Sequence, residues 1–282
     1  MTVRVPRAKK LPLSNSGTLS LLPVGCGSSF SKRLYQNNFL IVKGEDHCMI
    51  DCGTRTPEAL SKLGRPVTDI ENWLITHSHA DHIGGLEEVM LMNRYVARKK
   101  PTVVINAEYQ EVLWNSSLKG GSEPNEMHDG VGLQFGDFWR IRRPTWLSGY
   151  PRETAHTVLG SIDIKTVRTH HFPEQASDWT DSAYSVGVIL DDRILFTGDT
   201  QFDPDLLADY DKLFNFEYIF HDVQLMKGGI HASLDELCTL PASLKRRTFL
   251  MHYPDGADAQ RTRIKSEGFL GLVRQGAFYI FD

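Results

Sequence analysis

Thr76-His77-Ser78-His79-Ala80-Asp81-His82-Ile83-Gly84-Gly85 sets three imidazoles and a carboxylate between two stretches of different hydrophobic period. Upstream, Ile70 to Thr76 alternates into a buried strand. Downstream, Ile83, Leu86, Val89, Met90, Tyr95 and Val96 recur at the 3.6-residue spacing of a helix docked on a sheet, predicted over 83–98 and closed by Pro101. The polar run therefore sits at a strand-to-helix junction. In such a loop His77 and His79 face the same side, whereas Asp81 and His82, at the helix start, turn toward a neighbouring position. One segment can thus serve two cations a few Å apart. Helix capping or surface exposure accounts for one such residue, but not for three histidines and an aspartate together.

Working outward, Leu19 to Val24, Asn38 to Val42 and Cys48 to Ile50 read as an antiparallel meander, with turns at 25–29 and 43–46. Pro57 to Leu63 reads as a helix with Pro first and Gly64 at its end, and Thr102 to Ile105 as a strand. Between about 106 and 160 the Gly and Pro punctuation predicts an inserted helix/loop segment carrying Trp114, Trp139 and Trp146. Strands resume at Ile162 to Val167, Ala183 to Leu190 and Ile194 to Thr197. They are followed by a helix around Pro204 to Tyr210, a strand Tyr218 to His221, a helix from Ser233 and a strand Thr248 to Met251. Gly276 to Phe281 alternates like an edge strand. Each half runs strands first and helix later, which predicts an α/β sandwich of two packed sheets with helices outside, in a single domain over 1–282.

With 282 residues the chain can bury a core without disulfides, and 41% hydrophobic against 23% charged residues is a globular balance. A formal charge of −4 excludes a global electrostatic footprint for nucleic acid. Cys26, Cys48, Cys52 and Cys238 form no C-x-x-C pair and read as reduced, buried thiols. The start of the chain carries Arg4, Arg7, Lys9 and Lys10 without an apolar stretch behind them, so no secretory signal is expected. No run approaches a membrane span. The expectation is a cytoplasmic protein without membrane contact.

The H-x-H-x-D-H run followed by Gly84-Gly85 resembles the signature of the metallo-β-lactamase-fold hydrolase superfamily. The resemblance extends over nearly the whole chain, through Met49-Ile50-Asp51-Cys52-Gly53, Phe196-Thr197-Gly198-Asp199-Thr200 and Leu250-Met251-His252-Tyr253. It implies a four-layer αββα sandwich with two mixed β-sheets, and two divalent metal ions. His77 and His79 would bind one with a third histidine, Asp81, His82 and His252 the other, and Asp199 would bridge them. A carboxylate at a strand end beside Gly198 is suited to giving one oxygen to each cation. The third histidine is His170 or His171, whose side chains point to opposite sides of the strand end; His171, directly before Phe172-Pro173, is the favoured one. Zinc is the expected metal, with manganese or iron as alternatives. Two cations sharing a water would lower its pKa toward ~7, with Asp81 orienting or deprotonating it.

His221-Asp222 and His231-Ala232-Ser233 resemble the elements that supply an acid and a histidine near the leaving group in the RNase Z-like phosphodiesterase branch. This implies that His231, held by Asp222, protonates the leaving oxygen. Asp stands at 222 where that branch has Glu, and the short stretch between His171 and Asp199 leaves no room for a tRNA-gripping arm. Arg94, Arg98, Lys99, Lys100, Arg140, Arg142 and Arg143, with Trp139 and Trp146, make nucleic acid one conceivable partner. The reading is a dinuclear phosphodiesterase or nuclease-like enzyme. A small-molecule ester, lactone or thioester hydrolase with an apolar pocket from the tryptophan-bearing segment is the alternative, and a non-catalytic binding protein the second. Exposed tryptophans in that segment would suit a homodimer face.

Overall fold

The computed structural model describes residues 1–6 and 9–282; Arg7 of the basic lead-in lies outside them. Two eight-stranded mixed sheets dominate. The first runs, edge to edge, Thr2–Arg4, Phe278–Ile280, Ser20–Pro23, Phe39–Lys43, Asp46–Ile50, Asn72–Leu74, Thr102–Val104 and Arg140–Arg142. The second runs Thr145–Leu147, Thr154–Leu159, Ile162–Arg168, Val186–Leu190, Ile194–Phe196, Tyr218–Asp222, Thr248–Met251 and Gly271–Leu272. In each, an antiparallel half gives way to a parallel one: Asp46–Ile50 to Arg140–Arg142 in the first, Ile194–Phe196 to Gly271–Leu272 in the second. The carboxyl ends of parallel strands are where open α/β sheets gather their functional side chains.

Strands such as Phe39–Lys43 and Val186–Leu190 are apolar runs buried along almost their whole length, the pattern of strands covered on both faces. Between the sheets Phe39 meets Phe196 edge-on at 5.0 Å and Phe220 at 5.9 Å, and Phe220 stacks on Phe249 at 5.5 Å. Outside the second sheet lies the helix Pro204–Phe214. Asp203 caps it by accepting from Leu206 N at 3.1 Å, and it buries Leu206, Leu207 and Tyr210. Outside the first sheet Leu60, Leu86, Val89, Tyr109 and Leu113 pack on Met49, Trp73 and Val103. This is the metallo-β-lactamase-like sandwich of two mixed sheets with flanking helices. Among the described residues no helix is long and apolar enough to cross a membrane.

Three expectations are corrected. The helix predicted over 83–98 is broken into Ala80–Ile83, Leu86–Leu91 and a wider π-type turn Met92–Ala97. The break falls at Gly84-Gly85, which press on the strand-end loop so closely that a Cβ on Gly85 would lie 2.6 Å from Gly53 O. The 106–160 segment is more than helices and loops: Arg140–Arg142 forms an edge of the first sheet, and Thr145–Leu147 and Thr154–Leu159 enter the second. Two of these strands are three residues long and the third is partly polar, too little for a period to register. Finally, Phe278–Ile280 is an inner strand, because Thr2–Arg4 pairs outside it.

Candidate metal centre

The strand ends deliver the side chains. Asp51 follows Asp46–Ile50, His77 follows Asn72–Leu74, Asp199 follows Ile194–Phe196, Asp222 ends Tyr218–Asp222, and His252 follows Thr248–Met251. All converge on one rim, where the two sheets meet. Asp51 and His252 adopt left-handed backbone at φ 65° and φ 55°, which costs on the order of 1–3 kcal/mol each and persists where surroundings over-determine it. Gly198, at φ 65°, lets the Asp199 turn lie against Val186 O, which a Cβ would approach to 2.7 Å.

Two of the three donor groups among the described residues are those expected, the third being Asp199, Asp222 and His231. His77 Nε2 lies 3.0 Å and His171 Nε2 3.2 Å from His79 Nδ1. Beside them, Asp199 Oδ2 lies 3.1 Å from His82 Nε2 and 3.2 Å from His252 Nε2. Asp81 Oδ2 lies 3.3 Å and 3.1 Å from the same two nitrogens. Asp199 joins the groups, its Oδ2 being 4.0 Å from both His77 Nε2 and His171 Nε2, while its Oδ1 is buried without a hydrogen-bond partner. Each group could hold one metal ion. His171, fully buried, stands in the first group; His170 turns away and its Nε2 meets Ala176 O at 2.8 Å.

Partners behind the rings fix which nitrogen faces inward. His171 Nδ1 donates to Ile230 O at 2.8 Å, leaving Nε2 with a lone pair. Asp51 is central: its Oδ2 meets His82 Nδ1 at 2.7 Å and accepts from Thr76 Oγ1 at 2.7 Å, its Oδ1 accepts from Thr76 N at 2.7 Å, and Thr76 Oγ1 reaches His77 Nδ1 at 3.0 Å. Sequence reasoning assigned Asp51 no site role. Its signal was the Asp-x-Gly ending the strand, a carboxylate with no obvious reason to be buried.

The charge states suit cations. Burial pushes His171 down to about 3 and holds His77 well below, and His79 below, the ordinary imidazole value. Burial also opposes charge on Asp81 and Asp199, yet the His82 and His252 imidazoles outweigh it and keep both carboxylates below their usual range. Conversely, Asp199 and Asp81 raise His82 and His252 against the same burial. Protonated imidazoles here balance carboxylates that a cation would otherwise neutralise.

These shifts fix a pH profile for the cation-free protein. The stability contributed by His82 and His252 is complete below their ordinary value of 6.5 and is lost as pH rises through their higher folded values. His77, His79 and His171 penalise the fold as pH falls below the same 6.5. Thermal unfolding of chelator-treated protein is therefore expected to show a maximum Tm close to pH 6.5, with saturating zinc flattening the alkaline limb. A monotonic profile would contradict this balance.

Beside the cluster, His231 Nδ1 lies 2.9 Å from Asp222 Oδ2 and 4.0 Å from Asp199 Oδ2, and its ring stacks on His252 at 4.5 Å. Asp222 is fully buried; its Oδ2 also accepts from Thr200 N at 3.2 Å, and its Oδ1 lies 3.1 Å from His221 Nδ1. Burial opposes its charge, but hydrogen bonds from His221 and His231 hold its carboxyl below the usual range. His231 remains 17% exposed at its side chain, enough to meet a substrate.

Part of the basic and aromatic set is engaged within the fold, while Arg98, Lys99, Lys100 and Arg140 are exposed. Arg94 pairs with Glu126 at 2.6 Å, and Arg143 donates to Ile105 O and Asn106 O at 2.8 and 3.1 Å. Arg142 reaches Thr157 Oγ1 at 3.2 Å. Trp114 and Trp139 are core residues at 5% and 2% exposure, so neither lines an apolar substrate pocket or a dimer face; Trp146, at 46%, is open.

Fold and site together define a metallo-β-lactamase-fold protein with a buried His/Asp cluster. A metallo-β-lactamase-fold protein of Bacillus subtilis superposes with a TM-score of 0.66 at 13% identity, covering 94% of this chain and 100% of that one. The short form of human tRNase Z superposes at 0.59 and 14% identity, over 92% of this chain and 98% of its own. The chain belongs to the family described as Anti-Pycsar protein Apyc1, whose model matches residues 19–279. The relative of that name from Bacillus phage BSP38 is 37% identical over 269 residues, 93% of this chain and 98% of its own. With tRNase Z the chain shares the fold; its family is another.

Proposed function

We propose that this chain is a metal-dependent phosphodiesterase that opens cyclic nucleotides and acts, as its relatives' name says of them, against Pycsar. The observation that carries the reading is the pair of donor groups sharing Asp199, with the His231–Asp222 pair against it. His77, His79 and His171 would hold one divalent cation, Asp81, His82 and His252 the other, and Asp199 both. Bound there, the cations supply Lewis acidity and acidify water to a pKa of about 7.

The rest falls to the chain's own residues. Asp81 orients the attacking water and accepts its proton, which passes on to solvent. His231, its ring oriented by the Asp222 carboxylate 2.9 Å away, gives a proton to the ester oxygen that leaves phosphorus. One P–O bond forms and one breaks, so the ring opens to a linear phosphomonoester and His231 is reprotonated from solvent. Asp51 and the Ile230 carbonyl hold the imidazoles in register.

The test is elemental analysis paired with hydrolysis of 3′,5′-cyclic nucleotides, a thioester and a lactone under the same metal supply. Two ions per chain with cyclic-nucleotide opening is the expected result, zinc being the expected metal with manganese or iron as alternatives. Cleavage confined to the thioester or lactone would overturn the reading.

A further inference from the structure

On the same rim, beyond the centre, lies a cavity of about 480 Å³ whose walls include Asn106, Glu108, Trp146, Glu153, Arg168 and Tyr184. These residues stand where the chain passes the carboxyl end of Thr102–Val104, the end of Ile162–Arg168 that leads to His171, and the ends of Thr145–Leu147 and Thr154–Leu159 paired beside it.

A short buried chain of contacts joins this cavity to the metal-ligand loop. Ser78, between His77 and His79, donates to Tyr109 OH at 3.1 Å. Tyr109 stacks on Tyr184 with ring centroids 4.5 Å apart and planes at 11°, and Asn106 Nδ2 donates to Tyr184 OH at 2.9 Å. The wall of the cavity is thus two side chains from the imidazoles.

The lining has a definite chemistry. Trp146 offers an indole face that is 46% exposed, although Trp114 and Trp139 of the same segment are buried in the core. The Arg168 guanidinium lies over the Tyr184 ring at 5.2 Å and is fixed by Glu153 at 3.1 Å and by the carbonyls of Trp179 and Ser182 at 3.2 and 3.1 Å. Glu108 forms no hydrogen bond or ion pair with the described residues. Two carboxylates against one guanidinium leave the cavity net negative and rich in acceptors. A phosphodiester is repelled from it and drawn to the cations, whereas a flat heterocycle bearing N–H donors is matched to it.

The geometry points to this cavity as the subsite for the base of the nucleotide, with Trp146 as its stacking platform and Glu108 as the acceptor that reads an amino group. This rests on the cyclic-nucleotide reading above. Phosphate and base are then sorted by charge: the anion goes to the cation-binding cluster, the donor-bearing ring to the acidic, aromatic hollow. Cytosine presents an amino donor where uracil presents a carbonyl acceptor, so acceptor oxygens on Glu108 favour the former.

The experiment compares wild type, Trp146→Ala, Trp146→Phe and Glu108→Gln. Hydrolysis of cyclic CMP and cyclic UMP is measured against bis-p-nitrophenyl phosphate, which has no nucleobase, and binding of the cyclic nucleotides to chelator-treated protein is followed by calorimetry. Trp146→Ala is expected to raise KM and Kd for cyclic nucleotides about tenfold and to lower their kcat/KM relative to the base-free ester by the same factor, with Trp146→Phe restoring most of it. Glu108→Gln is expected to shrink the cyclic CMP over cyclic UMP ratio roughly tenfold. Unchanged KM and Kd in Trp146→Ala overturn the inference. If wild type cleaves only the base-free ester, the functional reading fails instead, and the calorimetric comparison still decides the subsite.

Discussion

Asp199→Ala is expected to bring cyclic-nucleotide hydrolysis to the uncatalysed background under full metal supply, with cation content falling from two per chain to one or none. Its Oδ2 is within 3.2 Å of His82 and His252 and 4.0 Å from His77 and His171, so its carboxylate faces both donor groups. Its Oδ1 has no protein partner in a buried setting, a cost of about 1–3 kcal/mol that a cation would offset. Asp199→Asn keeps the shape without the charge and is expected to fail likewise, which separates charge from packing. Both should retain the far-ultraviolet circular dichroism of the parent, because the residue sits on the rim outside the Phe39–Phe196–Phe220 core. Activity within about tenfold of the parent would remove Asp199 from the centre.

His231→Ala is the second large effect. It is expected to lower kcat for cyclic nucleotides by roughly 10²–10⁴-fold with metal content intact, the range of a lost general acid. The ring is held by Asp222 at 2.9 Å and stacked on His252, the placement on which its proposed role toward the leaving oxygen rests. The loss should depend on the leaving group. A p-nitrophenolate leaves without a proton, so bis-p-nitrophenyl phosphate should suffer far less than a ribose alkoxide. Asp222→Asn should fall between, because the amide still holds the ring but removes the negative charge that faces it. An equal loss on both substrates, or loss of metal, would reassign His231 to the first role of a ligand or a support.

Much of the fold was legible because periodicity survives wherever a strand or helix buries one face. Thr248 to Met251 and Asn38 to Val42 read correctly as strands, and Pro204 to Tyr210 as a helix. The 106–160 segment did not read, since its strands are three residues or partly polar and gain their pairing only from the sheets they join. The placement of Gly276 to Phe281 failed for a related reason. An alternating strand looks alike at an edge or one place in, and only the pairing with Thr2–Arg4 distinguishes them.

At the centre, the run from His77 to His82 could be read as cation-binding because its residue types are costly to keep together for any other purpose. The resemblance then supplied His252 and Asp199 from distant positions, and the choice of His171 over His170. The three-dimensional structure gathers these side chains into groups whose ligand atoms lie within 4.8 Å of one another and turns His170 aside. It alone reveals Asp51 as the hub behind His77 and His82, and the tyrosine pair linking Ser78 to the Trp146 cavity. Sequence by itself determined which chemistry the chain carries, since ligand types and spacing are local properties. Tertiary structure decided which groups meet, because a contact between Asp51 and His82 or Tyr109 and Tyr184 depends on where separate strand ends arrive, and local periodicity does not encode that.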